Sequence, residues 1–207
     1  MSLVAGVLVA AGGVALGRLL GLRLRPRSSS DAKVVADADA SGKPVSTRIL
    51  ERFPCQLGDV VIRTAERDEA WLAGALVFED TEVVAALFVA PEAGLDRAVF
   101  VREAQQGLTW LTPVSSGALD LPGDPPSAIE HGGVRFERAR RLPIRVTCMG
   151  TGAPAVGPRA VVAEYTGPGG EQLLVVAGSE RTLAWEGVAL AQWDYDVLPA
   201  SAGTLDE

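Results

Sequence analysis

The sequence predicts a mainly β fold, an antiparallel sandwich or barrel-like body, preceded by one transmembrane α-helix. Two observations carry this. Residues 48–199 are short runs rich in Val, Leu, Phe and Trp punctuated by Gly, Pro and Asp, the spacing of strands joined by turns. The first 22 residues instead form one apolar stretch in which Arg18 is the only charge.

As a helix, Ser2–Leu22 would reach about 31 Å, one hydrocarbon core. A cleaved secretory signal requires basic residues ahead of the apolar run, whereas Arg18, Arg23, Arg25 and Arg27 close or follow it. A buried core helix requires a polar face, and residues 3–16 offer none. Residues 1–25 are therefore read as the anchor, embedded in the lipid bilayer through residues 2–22. A basic end stays in the cytoplasm. This makes the chain a single-pass protein of the inner (plasma) membrane, N-terminus outside and body cytoplasmic. Gly13, Gly17 and Gly21 recur at every fourth residue, the small-xxx-small spacing that lets two membrane helices pack into a homo-oligomer. Glycine is also common in membrane helices at large, which is the competing account.

Residues 26–47 are rich in Ser, Ala and Asp without a sustained apolar period and read as a flexible linker. As a free coil, about 20 such residues span roughly 25 Å. Beyond Arg27 the chain holds 15 basic and 26 acidic residues, a net −11. Acidic surface argues against nucleic acid, whose phosphates need basic partners, and against flat adsorption on an anionic leaflet. Cys55 and Cys148 lie far apart and outside any CxxC spacing, so in a reducing compartment they are expected to be small buried hydrophobes rather than a disulfide.

Within the body the strand-like runs are LGDVVIRT, AWLAGALVFED, EVVAALFVA, RAVFVREA, LTWLTPV, GVRFERA, PIRVTCMG, RAVVAEYTG, EQLLVVAG, TLAWEGVAL and YDVLP. EVVAALFVA is short enough to be a helix instead. The strongest hairpin signal is AVVAEYTGPGGEQLLVVAG, with Thr166–Gly170 as the turn. Residues 121–133, LPGDPPSAIEHGG, break any regular element and divide the β-rich domain 48–199 into halves of about 55–120 and 132–199. The halves look loosely alike: each ends on a short run built round a tryptophan, LTWLTPV and TLAWEGV. Residues 200–207 read as a disordered tail.

The order of these motifs resembles the bacterial DUF4178 family, a domain of unknown function. Gly58 and Asp59 match the strand that opens such domains, LAGALVFED the hairpin that follows, and Trp110 with Leu111 the close of the first half. In the second half the resemblance runs through Gly133–Phe136, Gly150–Gly152, Tyr165, Gly167–Gly170 and Gly187–Leu190. It covers roughly residues 55–199. The family's W-x-E in the second strand and its Glu after WL are replaced here by EVVAALF and WLTPV. The resemblance implies a fold and a membrane-tethered habit, and no reaction.

Few residues point to chemistry. His131 is the single histidine, which excludes a multi-histidine metal site within one chain, and its place before Gly132 and Gly133 suggests an exposed turn. GTGAPAVGPR, residues 150–159, is glycine-rich but lacks the lysine and the following helix of a phosphate loop, so a hairpin connection is expected. Arg135, Arg138, Arg140, Arg141 and Arg145 form the one basic cluster. Strand alternation would point Arg138 and Arg140 to one side, a candidate anion site, against the blander reading of solvated edge positions. Glu79, Asp80 and Glu82, and Asp194 with Asp196, read as surface acids. Of the four tryptophans, Trp110 and Trp185 are expected in the core, while Trp71 and Trp193 are candidates for a partner patch.

These readings assign no catalytic, cofactor-binding or metal-binding residue. They favour a non-catalytic cytoplasmic β module that binds a protein partner or assembles through its anchor. The alternative is a small-ligand or enzymatic pocket between the two halves. An exposed tryptophan-bearing patch would speak for the first, and a pocket lined by acids or arginines from both halves for the second.

Overall fold

The computed structural model describes residues 49–92, 96–103, 105–115, 118–119 and 123–200. The anchor with Gly13, Gly17 and Gly21, the linker and residues 201–207 lie outside the described residues. Among the described residues no helix is long and apolar enough to cross a membrane.

The strands are β1 Val60–Arg63, β2 Asp68–Trp71, β3 Gly74–Glu79, β4 Val83–Ala90, β5 Arg97–Arg102, β6 Leu108–Pro113, β7 Ala128–His131, β8 Val134–Gly150, β9 Arg159–Thr166, β10 Glu171–Gly178, β11 Thr182–Leu190 and β12 Tyr195–Leu198. Eight of them close a barrel. Their order is β3-β4-β5-β6-β11-β10-β9-β8, and β3 returns to pair with β8. Every pairing is antiparallel. Closure pairs both edges of the barrel sheet except along the middle of β8, residues 138–144, which removes most of the aggregation hazard of so apolar a set of strands. Two four-stranded meanders, β3–β6 and β8–β11, make the two sides. The run EVVAALFVA is strand β4, paired on both edges, and not a helix.

Side chains alternate across each strand, so one set fills the barrel and the other faces out. The interior holds Leu76, Phe78, Leu87, Phe100, Leu111, Ile144, Val146, Val162, Leu174, Val176 and Trp185, drawn from all eight strands. It is a packed core rather than an open channel. Val156, fully buried, tips in from the β8–β9 connection and closes one end. That connection lies so close over Gly178 that a Cβ there would overlap the Val156 carbonyl.

The outward apolar residues are covered on two sides. Against β3–β6 packs a second sheet of order β12-β1-β2, which with Leu50, Phe53 and Cys55 buries Val77, Phe88, Val101 and Trp110. Phe88 is fully buried, its ring 6.4 Å from that of Phe53 in an edge-on arrangement. Truncating such a side chain to alanine costs about 3–5 kcal/mol. Against β9–β11 pack Ile129 and Phe136 of the β7–β8 hairpin, covering Tyr165, Leu173 and Val175. Residues 121–133 are thus not wholly irregular, since they contain β7, which pairs with the start of β8.

Strand β8 has 17 residues because it serves three neighbours: β7 along 134–137, β9 along 137–145 and β3 along 145–150. GVRFERA and PIRVTCMG are therefore one strand. Pro143, the residue that suggests a break, lies where β8 has left β7 and not yet met β3, so its missing N–H removes no ladder bond.

Candidate functional site

The end of the barrel opposite Val156 is polar. Arg102 follows Ala98 and Phe100 at inward positions of β5, and Glu164 follows Ala160 and Val162 at inward positions of β9. Their side chains form a salt bridge between Arg102 Nη2 and Glu164 Oε2 across the barrel mouth. Glu164 is only 7% exposed. A carboxylate so deep needs a cation and hydrogen bonds, and Arg102 supplies both. The guanidinium also lies over the Phe100 ring, 5.9 Å from its centroid, and so caps the apolar core. Its Nε is buried without a hydrogen-bond partner among the described residues.

Strand β8 brings a second arginine, Arg140, to this mouth, and a bulge turns Arg138 away from it. The register with β9 shifts between Arg138 and Arg140. Arg138 stands opposite Tyr165, which faces outward under the β7–β8 hairpin, whereas Arg140 stands opposite Glu164, which faces in. The expectation that Arg138 and Arg140 share a side is therefore corrected, because the extra residue of the bulge flips one against the other. Arg138 donates from Nη1 to the Pro125 carbonyl at 2.6 Å, and the Tyr165 hydroxyl donates to Pro126 O at 2.7 Å. Burial raises the Tyr165 pKa, an effect the nearby Arg138 charge opposes. Arg138 is thus a strut for the outer hairpin. Arg140 instead lines a cavity of about 390 Å³ with Arg102, Glu103, Gln105 and Val84. Glu103 is taken by Arg52 at 2.8 Å. Arg140 makes no ion pair or side-chain hydrogen bond among the described residues. The cavity draws an arginine from each meander, Arg102 from the first and Arg140 from the second, the feature that distinguishes a ligand pocket.

The exposed tryptophans do not form one patch. Trp71 is 57% and Trp193 82% exposed. Trp71 ends β2 opposite Val60, while Trp193 precedes Tyr195, which pairs with Arg63 at the other end of β1. The small sheet separates them. Trp71 has other company: Leu198, Val60 and Trp71 are direct neighbours across β12, β1 and β2, and Leu198 is 52% exposed. The next row on the same face is Asp196, Ile62 and Glu69. An apolar row flanked by acids results. Trp110 and Trp185 are buried, as expected for core residues, but on opposite faces: Trp185 fills the barrel, whereas Trp110 lies outside it under Arg63, 5.7 Å from the ring centroid. They are not equivalent positions of two like halves.

The remaining candidates are structural. His131 is not an exposed turn residue: it ends β7 with its side chain 16% exposed and Nε2 3.3 Å from Glu186 Oε2. Asp80 and Glu82 form the β3–β4 turn, Asp80 N–H donating to Glu82 O at 3.0 Å. Asp194 Oδ2 accepts from Ala191 N at 3.0 Å. Residues 151–158 connect β8 to β9 as a hairpin. Of the cysteines, Cys55 is buried as expected but Cys148 is exposed, its Sγ 3.8 Å from the Pro154 carbonyl. Burial, reinforced by Asp59, pushes the Cys55 thiol up to about 12. Among the described residues no group of three or more His, Cys, Asp and Glu could hold a metal ion.

Sequence reasoning missed Arg102 and Glu164, which sit 62 residues apart. The signal available was a charged residue at an inward position of each of two otherwise apolar strands. The fold and site together define a class, a closed eight-stranded antiparallel barrel plugged at one end and charged at the other. Compared with protein-family models, curated proteins and solved structures, the chain finds no match in any of the three.

Proposed function

We propose that the chain is a membrane-tethered module of the DUF4178 kind whose cytoplasmic barrel binds a protein partner through the outward face of its small sheet. The observation that carries this reading is the row Leu198–Val60–Trp71, an aromatic and an aliphatic side chain left more than half exposed beside a half-buried valine. Trp is the residue type most enriched where binding energy concentrates. The flanking Asp196 and Glu69, on a chain of net −11 beyond Arg27, select a partner that offers an apolar anchor ringed by basic residues. The anchor places the module at the inner membrane with its body in the cytoplasm. The spacing of Gly13, Gly17 and Gly21 adds self-association in the bilayer.

Crosslinking in native membranes tests this. Trp71→Glu with Leu198→Glu should abolish the crosslinked heteromeric species while leaving the far-ultraviolet circular dichroism unchanged. An identical crosslinking pattern in the native and doubly substituted chains would remove the reading. The charged cavity between the meanders favours a second activity, ligand binding at the barrel mouth.

A further inference from the structure

We propose that the open end of the barrel is a binding site for a small oxyanion, a carboxylate or a phosphate, held by Arg140 and framed by Arg102. Three observations converge. First, charge is unbalanced there. Arg102 and Arg140 face one cavity, Glu164 is paired with Arg102, and Glu103 is paired with Arg52. One guanidinium is left over. Second, the arginine beside it is pre-positioned: the Glu164 salt bridge and the Phe100 ring hold Arg102 in place, so little side-chain freedom is lost when an anion arrives. Third, Arg102 Nε is buried with no partner among the described residues, a donor left unmatched by the protein itself.

The chemistry of the lining narrows the ligand. A guanidinium presents parallel N–H donors that fit the two oxygens of a carboxylate or phosphate. Gln105 adds an amide that can donate or accept, and Val84 an apolar wall. A volume of about 390 Å³ suits a metabolite-sized anion or a single phosphate-bearing headgroup. Arg140 reaches the site by ordinary alternation from Leu142 and Ile144, and the β8 bulge turns Arg138 outward, so that Arg140 is the one arginine of that pair left at the mouth.

The test uses the full chain in detergent micelles at low ionic strength. Inorganic phosphate and succinate are titrated calorimetrically, and vesicles of phosphatidylglycerol are compared with vesicles of phosphatidylcholine. The expected result is saturable binding in at least one anionic arm, weakened on the order of tenfold or more by Arg140→Gln, as loss of a charge-assisted contact implies. Binding confined to phosphatidylglycerol vesicles, with the same loss in the variant, would identify the oxyanion as a lipid headgroup. Arg135→Gln, an exposed arginine paired with Glu137 on the β7–β8 hairpin, should bind as the native chain does. Near-ultraviolet circular dichroism checks that Arg140→Gln remains folded, with Arg140→Ala as the second variant. No saturable binding in any arm, or equal binding by the native chain and both Arg140 variants, overturns the proposal.

Discussion

Cys55 lies buried between the small sheet and the barrel, beside Asp59 and Tyr195, and its thiol is held protonated up to about 12. In the unfolded chain a thiol ionises near its ordinary value of about 8.5. The folded form therefore keeps a proton that the unfolded form sheds. The stability this contributes is complete below about pH 8.5 and is lost as pH climbs toward 12. Tyr165 and Tyr195, also raised by burial, add to the same alkaline loss. The urea midpoint should fall steadily above pH 9, and Cys55→Ala should flatten that slope while costing about 1 kcal/mol at neutral pH. A slope unchanged by the substitution would show that Cys55 is not its source. The pair at the barrel mouth gives the second residue-scale prediction. Glu164→Ala leaves Arg102 without its carboxylate, and since that guanidinium is partly solvated the cost is expected at about 2 kcal/mol, below the figure for a fully enclosed ion. Replacing both, Arg102→Met with Glu164→Leu, should recover most of it. Guanidinium chloride unfolding of the two variants beside the native chain measures both effects.

At the scale of elements, what was legible locally was what depends on local pattern. The hairpin of β9 and β10 is set by Thr166–Gly170 between two apolar runs, and β3 to β6 follow from strand-length apolar segments between turn residues. What was hidden depends on partners far along the chain. Strand β8 reads as two runs because Pro143 interrupts it, and only the presence of β7 and β3 on one edge shows why a proline is tolerated there. The opposite facing of Arg138 and Arg140 follows from a bulge, and alternation counted along the sequence is wrong by one after any bulge. The seam between the meanders also carries a constraint that the sequence does not announce. Gly187 of β11 stands so close to β6 that a Cβ would overlap the Trp110 carbonyl. Gly187→Ala must push β6 and β11 apart and should cost about 1–3 kcal/mol, the range for overpacking. Hydrogen exchange should localise the damage to those two strands. Protection loss spread evenly round the barrel would argue against a seam effect.

At the scale of the whole molecule, the barrel carries its own core, while the small sheet is held on by its outer-face contacts and the Arg97–Asp68 ion pair at 3.0 Å, and is itself tied together by one carboxylate. Asp59, 6% exposed, accepts from Gln56 N through Oδ2 at 2.7 Å and from Ala200 N through Oδ1 at 2.9 Å. Its own backbone pairs with Leu72, whose N–H donates to Asp59 O at 2.9 Å. The Gly58–Asp59 pair, which in sequence looked only like the opening of a strand, therefore ties the entry to β1, the exit from β2 and the chain leaving β12. Residue 200, read as the start of a disordered tail, is fixed by it. Nothing near Asp59 in sequence reveals a partner 141 residues away, which is why a motif could be seen and its purpose could not. Asp59→Ala removes both acceptors and should cost about 2–3 kcal/mol. That loss should appear first as detachment of the small sheet, since the barrel ladder is untouched and regions with fewer buried contacts open first. Thiol labelling under native conditions reads this directly. Cys148 is exposed in any case, whereas Cys55 lies under the small sheet. The native chain should take up label at Cys148 alone, and Asp59→Ala should take up label at both cysteines at a denaturant concentration where Trp185, inside the barrel, keeps its native fluorescence. If Cys55 became reactive only as the barrel itself unfolds, the two sheets would be one cooperative unit and Asp59 no more than a local turn residue.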